Sequence, residues 1–353
     1  MADFSIQNVS VKGISACVPK ENFVNTKDVF PGMDSSEMQK IVSMTGIDKH
    51  HISPTEICTS DLCFHAAEKL ITKLAWQKED IGIVVFVSQT PDYILPMTSA
   101  ILQERLGLQS SCMAFDMSIG CSGFIYGMSV ISSLISSSKI KKGLLLLGDT
   151  ITKFISKQDR STFPLFGDAG TAIALEYDES AKEMAFSLHT DGVGHKAIIV
   201  NDGGQRSPFS AQSLMPQNYE GGIERNDAQL YLNGMDVFNF SITKAPASFN
   251  QLMSYKETNI DAFDYFVFHQ ANKLMNETIR KKLKIDPSKY LYSLQKYGNT
   301  SSATIPLTLV SELQDELANK SLSLGLCGFG VGLSWGSMIL HTDKIATLAV
   351  IEI

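Results

Sequence analysis

The sequence predicts a mixed α/β protein that consists of two similar βα halves. Three observations predict this fold class: the chain is 353 residues long, short apolar runs alternate with segments of helical periodicity, and this order of elements occurs twice. A chain of this length is long for a single core and suits two domains or one large layered domain. We place the boundary near residue 180, with an N-terminal half over 1–180 and a C-terminal half over 181–353.

The composition argues against several classes of protein. Hydrophobic residues make up 44% of the chain and charged residues 19%, which favours a buried core over disorder. The formal net charge of −7 argues against nucleic acid as the main partner, because nucleic-acid-binding proteins need a basic surface. The first residues lack the features of a secretory leader and no apolar run is long enough to span a membrane. We therefore expect a cytoplasmic protein.

The six cysteines contain no C-x-x-C pair and are too sparse for a disulfide framework, which fits a reducing compartment. No group of histidines, cysteines and carboxylates has the spacing of a metal site, so no metal is predicted.

The N-terminal half alternates strands and helices. Residues 5–18 predict a first strand, and the stripe of apolar residues in 59–74 predicts a helix that Ser60 or Asp61 can cap. The continuous apolar run over 81–87 predicts a strand buried on both faces. The other predicted elements are helices at 38–44, ended by Gly46, and at 99–106, and strands at 111–117, 143–148 and 171–176.

The C-terminal half repeats that order. Its predicted elements are a buried strand at 263–268, a basic helix at 274–283, a helix that opens within 297–303 and continues through 313, and closing strands at 321–326 and 333–341. Corresponding segments lie about half the chain apart, as an internal duplication would leave them. The tail over 342–353 is apolar, which predicts an edge strand or an interface.

A segment rich in Gly, Ser, Gln and Asn lies between the halves, at about 201–229. A loop this long in a compact domain is usually functional or mobile. We interpret it as a cap beside the mouth of the active site, and the alternative is a surface loop without a role.

Cys121 lies where the chain changes from a strand to a helix. The helix is predicted by apolar residues at three- and four-residue steps, namely Phe124, Met128, Ile131 and Ile135. A helix N-terminus favours an anion and lowers the pKa of a thiol, which produces a nucleophile. Gly120 and Gly123 leave space for a substrate beside the sulfur. A packing cysteine is the alternative, because free cysteines are among the most buried residues.

Four stretches together resemble the β-ketoacyl-acyl-carrier-protein synthase III family of the thiolase superfamily. They are Gly120-Cys121-Ser122-Gly123-Phe124, His269-Gln270-Ala271-Asn272, Gly298-Asn299-Thr300-Ser301-Ser302-Ala303 and the glycine-rich run 328–336. The resemblance covers nearly the whole chain. It implies a thiolase-like fold in which the duplicated halves form five layers, αβαβα, and an enzyme of lipid metabolism such as fatty acid biosynthesis.

The resemblance implies an acyltransferase that needs no cofactor. Cys121 would take an acyl group from a thioester, and malonyl-acyl carrier protein would then lose carbon dioxide and attack that group, giving a β-ketoacyl product. His269 and Asn299 would each donate one N–H to the thioester oxygen that gains charge. The backbone amides of Cys121 and Val331 would form a second oxyanion hole. Many relatives have glycine at the last position, so valine would be strained if the site needs a positive φ.

Two other functions remain open. One is acyl transfer to a hydroxyl, an amine or another nucleophile in a specialised pathway. A hydroxyl acceptor would need His269 as a general base, and Asn299 offers no charge to balance it. The other is a catalytically silent partner subunit, which would have no need of Cys121.

The resemblance also implies substrate contacts, for which the residues are Lys40, Met44, Leu95, Arg160, Gly234 and Phe329. In relatives that are primed from coenzyme A, a tryptophan and an arginine flank the adenine. Lys40 and Met44 stand at those two positions, so the stacking on the adenine is lost. Arg160 matches an adenine-contacting arginine. Lys40 as a solvated residue and Arg160 as a structural ion pair are the alternatives. The acyl donor is therefore either acyl-coenzyme A or an acyl carrier protein.

Two partners are also implied by the resemblance. Arg280, Lys281 and Lys282 lie on the helix after His269, where relatives bind the acidic acyl carrier protein; a solvated helix face is the alternative. The family further implies a homodimer in which Leu95 completes the pocket of the neighbouring subunit.

Overall fold

The structure is a computed structural model that describes residues 2–25 and 35–353. Its strands are β1 Ala2–Ile6, β2 Val9–Val18, β3 Asn22–Val24, β4 Lys49–His51, β5 Ile81–Val87, β6 Met113–Met117, β7 Lys142–Asp149, β8 Ala169–Tyr177, β9 Met184–Thr190, β10 Ile198–Val200, β11 Gln217–Tyr219, β12 Ile223–Arg225, β13 Leu230–Leu232, β14 Tyr265–Phe268, β15 Leu322–Gly330, β16 Ser334–Thr342, β17 Ala346–Thr347 and β18 Ile351–Glu352. Its α-helices are α1 Ser35–Thr45, α2 Thr59–Lys73, α3 Thr98–Arg105, α4 Gly123–Ser138, α5 Gly234–Tyr255, α6 Lys273–Leu283, α7 Leu294–Tyr297 and α8 Thr304–Asn319.

Two sheets carry the fold, and their strand orders correspond. The seven-stranded sheet has the order β17-β2-β8-β7-β5-β6, with β18 also on β2, and the five-stranded sheet has the order β1-β9-β16-β15-β14. When the main strands of the first half, β2, β5, β6, β7 and β8, are numbered 1 to 5 along the chain, their order across the larger sheet is 1-5-4-2-3. The second sheet matches this order, because an isolated parallel bridge from Phe266 to Tyr290 marks the place of its third strand. The predicted repeat is therefore visible in the topology.

The helices complete five layers. Helices α4 and α8 lie between the sheets and contact strands of both, whereas α2 and α3 cover the outside of the larger sheet and α5 and α6 the outside of the smaller. The predicted stripe on α4 is buried against one continuous core with both sheets. The α/β class and the αβαβα arrangement are confirmed.

The middle strands are apolar because helices cover both of their faces. Six of the seven residues of β5 are buried, as are Leu144–Leu147 of β7. Parallel strands covered on both sides need such continuous apolar runs. The strand predicted at 81–87 is confirmed, and so is the helix that Gly46 ends with a φ of 71°.

Each end of the chain pairs with the sheet of the other half, which the sequence did not reveal. The strand predicted over 5–18 is wrong: it is two strands separated at Asn8, which has a φ of 64°. Strand β1 pairs with β9 of the smaller sheet, whereas β2 pairs with β8 of the larger one. The tail returns as β17 and β18 beside β2, which confirms the predicted edge strand. The proposed boundary near residue 180 falls between β8 and β9.

Three local predictions need correction. The N-cap residue of α2 is Cys58, not Ser60 or Asp61. Asp61 contributes from the third position of the helix, where its carboxylate accepts the Cys58 backbone N–H at 2.7 Å. Strand β6 begins at Met113 and not at residue 111, and it is a half-buried strand at the edge of its sheet. Helix α8 continues to Asn319, with a kink at Leu313 where the prediction ended it. Among the residues described, every helix is too short or too polar to cross a bilayer.

Candidate active site

Cys121 occupies the predicted junction between β6 and α4. It is buried, and the backbone N–H groups of Val331 and Cys121 and the Ser301 hydroxyl lie near its sulfur, where they favour the thiolate. The end of β15 lies directly behind the thiol, because a Cβ at Gly330 would be 2.7 Å from Sγ. Only glycine fits at that position without displacing the sulfur.

The expectation of a lowered thiol pKa is wrong for the resting site. Burial raises the pKa of Cys121 to about 11, and the negative charge of Asp149 acts in the same direction. The hydrogen bonds from Val331 and Ser301 lower the pKa but do not outweigh burial. The sulfur is therefore protonated near neutral pH and must lose its proton as it attacks.

His269 follows directly after β14 and is buried edge-on against the Phe329 ring, with ring centres 5.4 Å apart. Burial lowers the pKa of His269 to about 3, so its imidazole is neutral near pH 7. Its Nδ1 lies 2.8 Å from the Thr304 hydroxyl. This contact leaves Nε2 as the ring nitrogen available to a substrate.

Asn299 is held by backbone pairing with the other half. Its N–H donates to the Leu165 carbonyl at 2.8 Å, and its carbonyl accepts from the Gly167 N–H at 3.1 Å. Its side-chain Oδ1 accepts from the Ser301 N–H at 3.0 Å. Because the amide oxygen is already used, the Nδ2 group is the part of Asn299 left to donate to a ligand.

One cavity of about 940 Å³ contains Cys121, His269 and Asn299 in its wall. The structure thus brings together three side chains that are far apart in the sequence. The rest of the wall is mostly apolar and includes Ile151, Phe154, Phe166, Ile198, Leu230, Leu232 and Val237. Such a cavity suits an apolar ligand that reaches a small polar centre.

Four residues of the segment predicted as a cap lie in the lining of this cavity, namely Asp202, Gly203, Gly204 and Phe209. The hairpin of β11 and β12 is attached to the body by Arg225, which is 3.4 Å from the Asp159 carboxylate. The Arg225 guanidinium also lies 4.0 Å from the centre of the Tyr219 ring and 4.8 Å from that of Tyr231. The sequence analysis did not find this attachment.

The predicted substrate contacts divide into two groups. Gly234 and Phe329 line the cavity. Lys40 and Met44 are exposed, and only their neighbour Thr45 reaches the lining.

Arg160 and Leu95 also lie outside the lining, next to residues that form it. The Arg160 guanidinium is beside the cap, 3.2 Å from where a Cβ at Gly221 would lie, and the adjacent Ser161 lines the cavity. Leu95 is 83% exposed, while Tyr93 and Ile94 next to it line the cavity.

The predicted docking residues differ in what their side chains contact. Arg280 forms an ion pair with Glu277 of the same helix at 2.8 Å and donates to the Ile285 carbonyl, just after the helix, at 2.7 Å. Its guanidinium is therefore already bound within this part of the protein. Lys282 donates to the Ile242 carbonyl at 2.9 Å. Lys281 is exposed on the same helix.

Comparison with known proteins now identifies the family. Two family models match the chain, 3-oxoacyl-[acyl-carrier-protein (ACP)] synthase III at residues 115–192 and its C-terminal counterpart at 253–342. The β-ketoacyl-[acyl-carrier-protein] synthase III of Streptococcus pneumoniae (strain Hungary19A-6) is 34% identical over 322 residues, which cover 91% of this chain and 95% of that protein. The chain belongs to this family. It is an enzyme of the synthase III type.

Solved structures agree with this assignment. The 3-oxoacyl-(acyl-carrier protein) synthase from Burkholderia xenovorans LB400 superposes with a TM-score of 0.92 at 35% identity and covers 99% of both chains. The synthase III from Pseudomonas aeruginosa PAO1 gives a TM-score of 0.82 at 26% identity, over 96% of this chain and 100% of that one. The thiolase-like fold of the synthase is therefore shared along its whole length.

Several site residues were not found from the sequence. Thr304 contacts His269, Ser301 contacts Asn299, and the negative charge of Asp149 acts on Cys121. The only signal in the sequence was the run of hydroxyl residues after Asn299. A hydroxyl run is also common at helix starts, so it did not indicate catalysis. Across 2–25 and 35–353, no group of three or more His, Cys, Asp or Glu side chains has the arrangement of a metal site.

Proposed function

We propose that this synthase catalyses a decarboxylative Claisen condensation between a Cys121-bound acyl group and malonyl-acyl carrier protein, giving a β-ketoacyl product. The observation that supports it is the placement of Cys121, His269 and Asn299 in the wall of one largely apolar cavity. A nucleophile, two neutral N–H donors and an apolar chamber are the parts that this reaction requires.

In the first step, the Cys121 sulfur attacks the acyl thioester and loses its proton, and the donor thiol leaves. The tetrahedral oxyanion would be stabilised by the backbone N–H groups of Cys121 and Val331, which lie near the sulfur and favour its anionic form. Val331 does not have a positive φ, and Gly332 after it has a φ of 136°. The strain that valine could have caused is therefore avoided.

In the second step, malonyl thioester loses carbon dioxide, and its carbanion attacks the acyl carbonyl and releases the Cys121 thiolate. Negative charge builds up on the thioester oxygen, where His269 Nε2–H and Asn299 Nδ2–H would donate. The Thr304 hydroxyl has one proton and lies 2.8 Å from His269 Nδ1 and 3.0 Å from the Ser301 carbonyl oxygen. We propose that this proton is donated to Nδ1 and not to the Ser301 carbonyl, which keeps the imidazole proton on Nε2, as this role requires.

The partners belong to the same proposal. The acyl carrier protein would bind beside the cavity through Lys281, with the donor either acyl-coenzyme A or an acyl carrier protein. A homodimer is supported by the edge strand β6 and by the exposed loop with Tyr93, Ile94 and Leu95. A second copy would cover these groups and place Leu95 near the neighbouring cavity. We further propose that the reaction needs no cofactor. We also propose that it takes place in the cytoplasm, a location that the free state of all six cysteines supports.

A panel of acyl thioesters tests this function. The protein is incubated with acyl-coenzyme A or acyl carrier protein donors of different length, with and without malonyl-acyl carrier protein, and intact mass and carbon dioxide are measured. We expect a mass gain that is lost in Cys121→Ala, and carbon dioxide release coupled to a β-ketoacyl product. The matched control is Cys327→Ala, since the Cys327 thiol is fully buried and does not line the cavity.

Each other outcome contradicts the proposal in a distinct way. Acylation followed by transfer to a hydroxyl or an amine, without carbon dioxide, would assign the alternative acyltransferase activity. No acylation by any donor would assign a silent subunit.

A further inference from the structure

Asp149 is a fully buried carboxylate with no role in the proposed chemistry. It is the last residue of β7, in the N-terminal half. Its Oδ1 accepts from the Ser88 hydroxyl at 3.1 Å and the Gln89 N–H at 2.7 Å. Its Oδ2 accepts from the Ser302 N–H at 3.2 Å and the Ser302 hydroxyl at 2.8 Å. Each oxygen of the carboxylate thus serves a different half of the molecule.

The groups that Asp149 joins are parts of the active site. Ser88 and Gln89 follow directly after β5, and Gln89 lines the cavity. Ser302 lies in the short turn between Asn299 and α8. The neighbouring Ser301 donates its N–H to Asn299 Oδ1 at 3.0 Å, and its hydroxyl lies near the Cys121 sulfur, where it favours the thiolate. A shift of Ser302 would therefore move donors at both catalytic side chains.

We propose that Asp149 is a positioning residue for the condensation: its carboxylate fixes the turn of residues 299–303 from the C-terminal half against the end of β5, beside Cys121. This inference rests on the proposed function. A buried carboxylate is costly unless its oxygens are fully hydrogen-bonded, and these four donors meet that need. An uncharged side chain would bind the same donors more weakly.

The charge of Asp149 has a second, separable effect. A negative charge near the sulfur disfavours the thiolate, and Asp149 raises the pKa of Cys121 in this way. Removing the charge should make Cys121 more reactive towards a small alkylating agent while making condensation slower. A merely structural residue would not produce these opposite changes.

The test compares Asp149→Asn with the wild-type protein in three measurements. Alkylation of Cys121 by iodoacetamide, followed by peptide mass at pH 8, should become severalfold faster, because loss of the nearby negative charge raises the fraction of thiolate. The kcat of condensation should fall about tenfold or more with little change in KM, since the donors lose their alignment. Hydrogen exchange of residues 299–303 should become faster.

Two further variants separate this role from general damage. Asp168→Asn is the matched control: Asp168 is equally buried and accepts from the Ser53 N–H at 2.8 Å and from Thr152 at 2.6 and 3.0 Å, all within the N-terminal half. It should not speed alkylation or exchange of 299–303. Ser302→Ala weakens the link but keeps the charge, so it should slow condensation without faster alkylation.

Specific results would overturn the inference. An Asp149→Asn protein with a kcat close to the wild-type value would remove the positioning role. Equal changes in Asp168→Asn would show that Asp149 matters only for stability. If the wild-type protein does not condense at all, the proposed function fails, and alkylation and hydrogen exchange still decide whether Asp149 fixes the turn.

Discussion

The two halves of this synthase have the same strand order but carry different side chains at corresponding positions. In the N-terminal half the third strand, β6, leads to Cys121 and then α4, whereas in the C-terminal half the third position, at Tyr290, leads to Asn299 and then α8. The second strand leads to Ser88 in one half and to His269 in the other. The duplicated fold thus offers matching positions, which carry a thiol in one half and neutral N–H groups in the other.

Burial affects the two halves of the site in opposite directions. It raises the pKa of Cys121 to about 11 and lowers the pKa of His269 to about 3. In both cases the neutral form is favoured, because a low-dielectric site disfavours charge of either sign. The resting site is therefore uncharged at these two side chains near neutral pH.

The largest expected effect tests this division of roles. His269→Ala or Asn299→Ala should slow condensation by about 10²–10³-fold, the cost of removing one oxyanion-hole donor. Acylation of Cys121 should persist in both variants, because its oxyanion hole uses backbone amides. Intact mass after incubation with donor, measured beside carbon dioxide release, checks both statements. Loss of acylation in both variants would contradict the separation between halves.

A pH-dependent effect is expected where the halves meet. His50 is fully buried, and its Cβ lies 3.1 Å from the place where a Cβ on Gly298 would be. Neither of its ring nitrogens has a hydrogen-bond partner among the residues described. Burial and the charge of His51 lower the pKa of His50 to about 4, from an unfolded value of 6.5. The folded state binds fewer protons, so stability should fall by ~3 kcal/mol as the pH drops from about 6.5 to about 4.

Urea unfolding of the wild-type protein and His50→Leu between pH 7.5 and pH 4 measures this contribution. Leucine has no proton to bind, so the variant should lose less stability than the wild type over that interval. Parallel stability curves would mean that His50 is not the group responsible.

A smaller effect is expected from the hydroxyl that contacts His269. Thr304→Val keeps the shape but removes the only proton that can be donated to Nδ1 across 2.8 Å. Condensation should fall about tenfold, which corresponds to the loss of one hydrogen bond of 1–2 kcal/mol. Thr304→Ser should restore most of the rate. Equal rates in Thr304→Val and Thr304→Ser would show that the hydroxyl does not control His269.

The smallest effect concerns carrier binding. Lys281→Glu should lower kcat/KM with acyl carrier protein substrates a few-fold, and added salt should reduce the difference, since an exposed charge acts mainly on association. Turnover of small thioesters should not change. Lys73→Glu on the exposed side of α2 is the control, because that helix covers the opposite outer layer. Equal effects of the two variants would exclude a specific docking role for Lys281.

Much of the fold was predictable because its signals are local. The apolar run of β5 and the stripe of α4 follow from periodicity, and most predicted elements exist with shifted ends. The errors occurred where distant parts of the chain decide the outcome. Residues 5–18 have one apolar pattern but divide at Asn8 between two sheets, and the partners of those strands lie more than a hundred residues away.

The sequence by itself determined the duplicated α/β pattern, the strand-to-helix position of Cys121 and, through the family resemblance, the identity of His269 and Asn299. Only the tertiary structure decided that these side chains share one cavity, that Asp149 and Leu165 join the halves around it, and that Arg280 is used within its own helix. It also reversed the expected pKa of Cys121. The physical reason is that periodicity and helix ends are properties of neighbouring residues, whereas burial and hydrogen-bond partners depend on segments that meet only after folding.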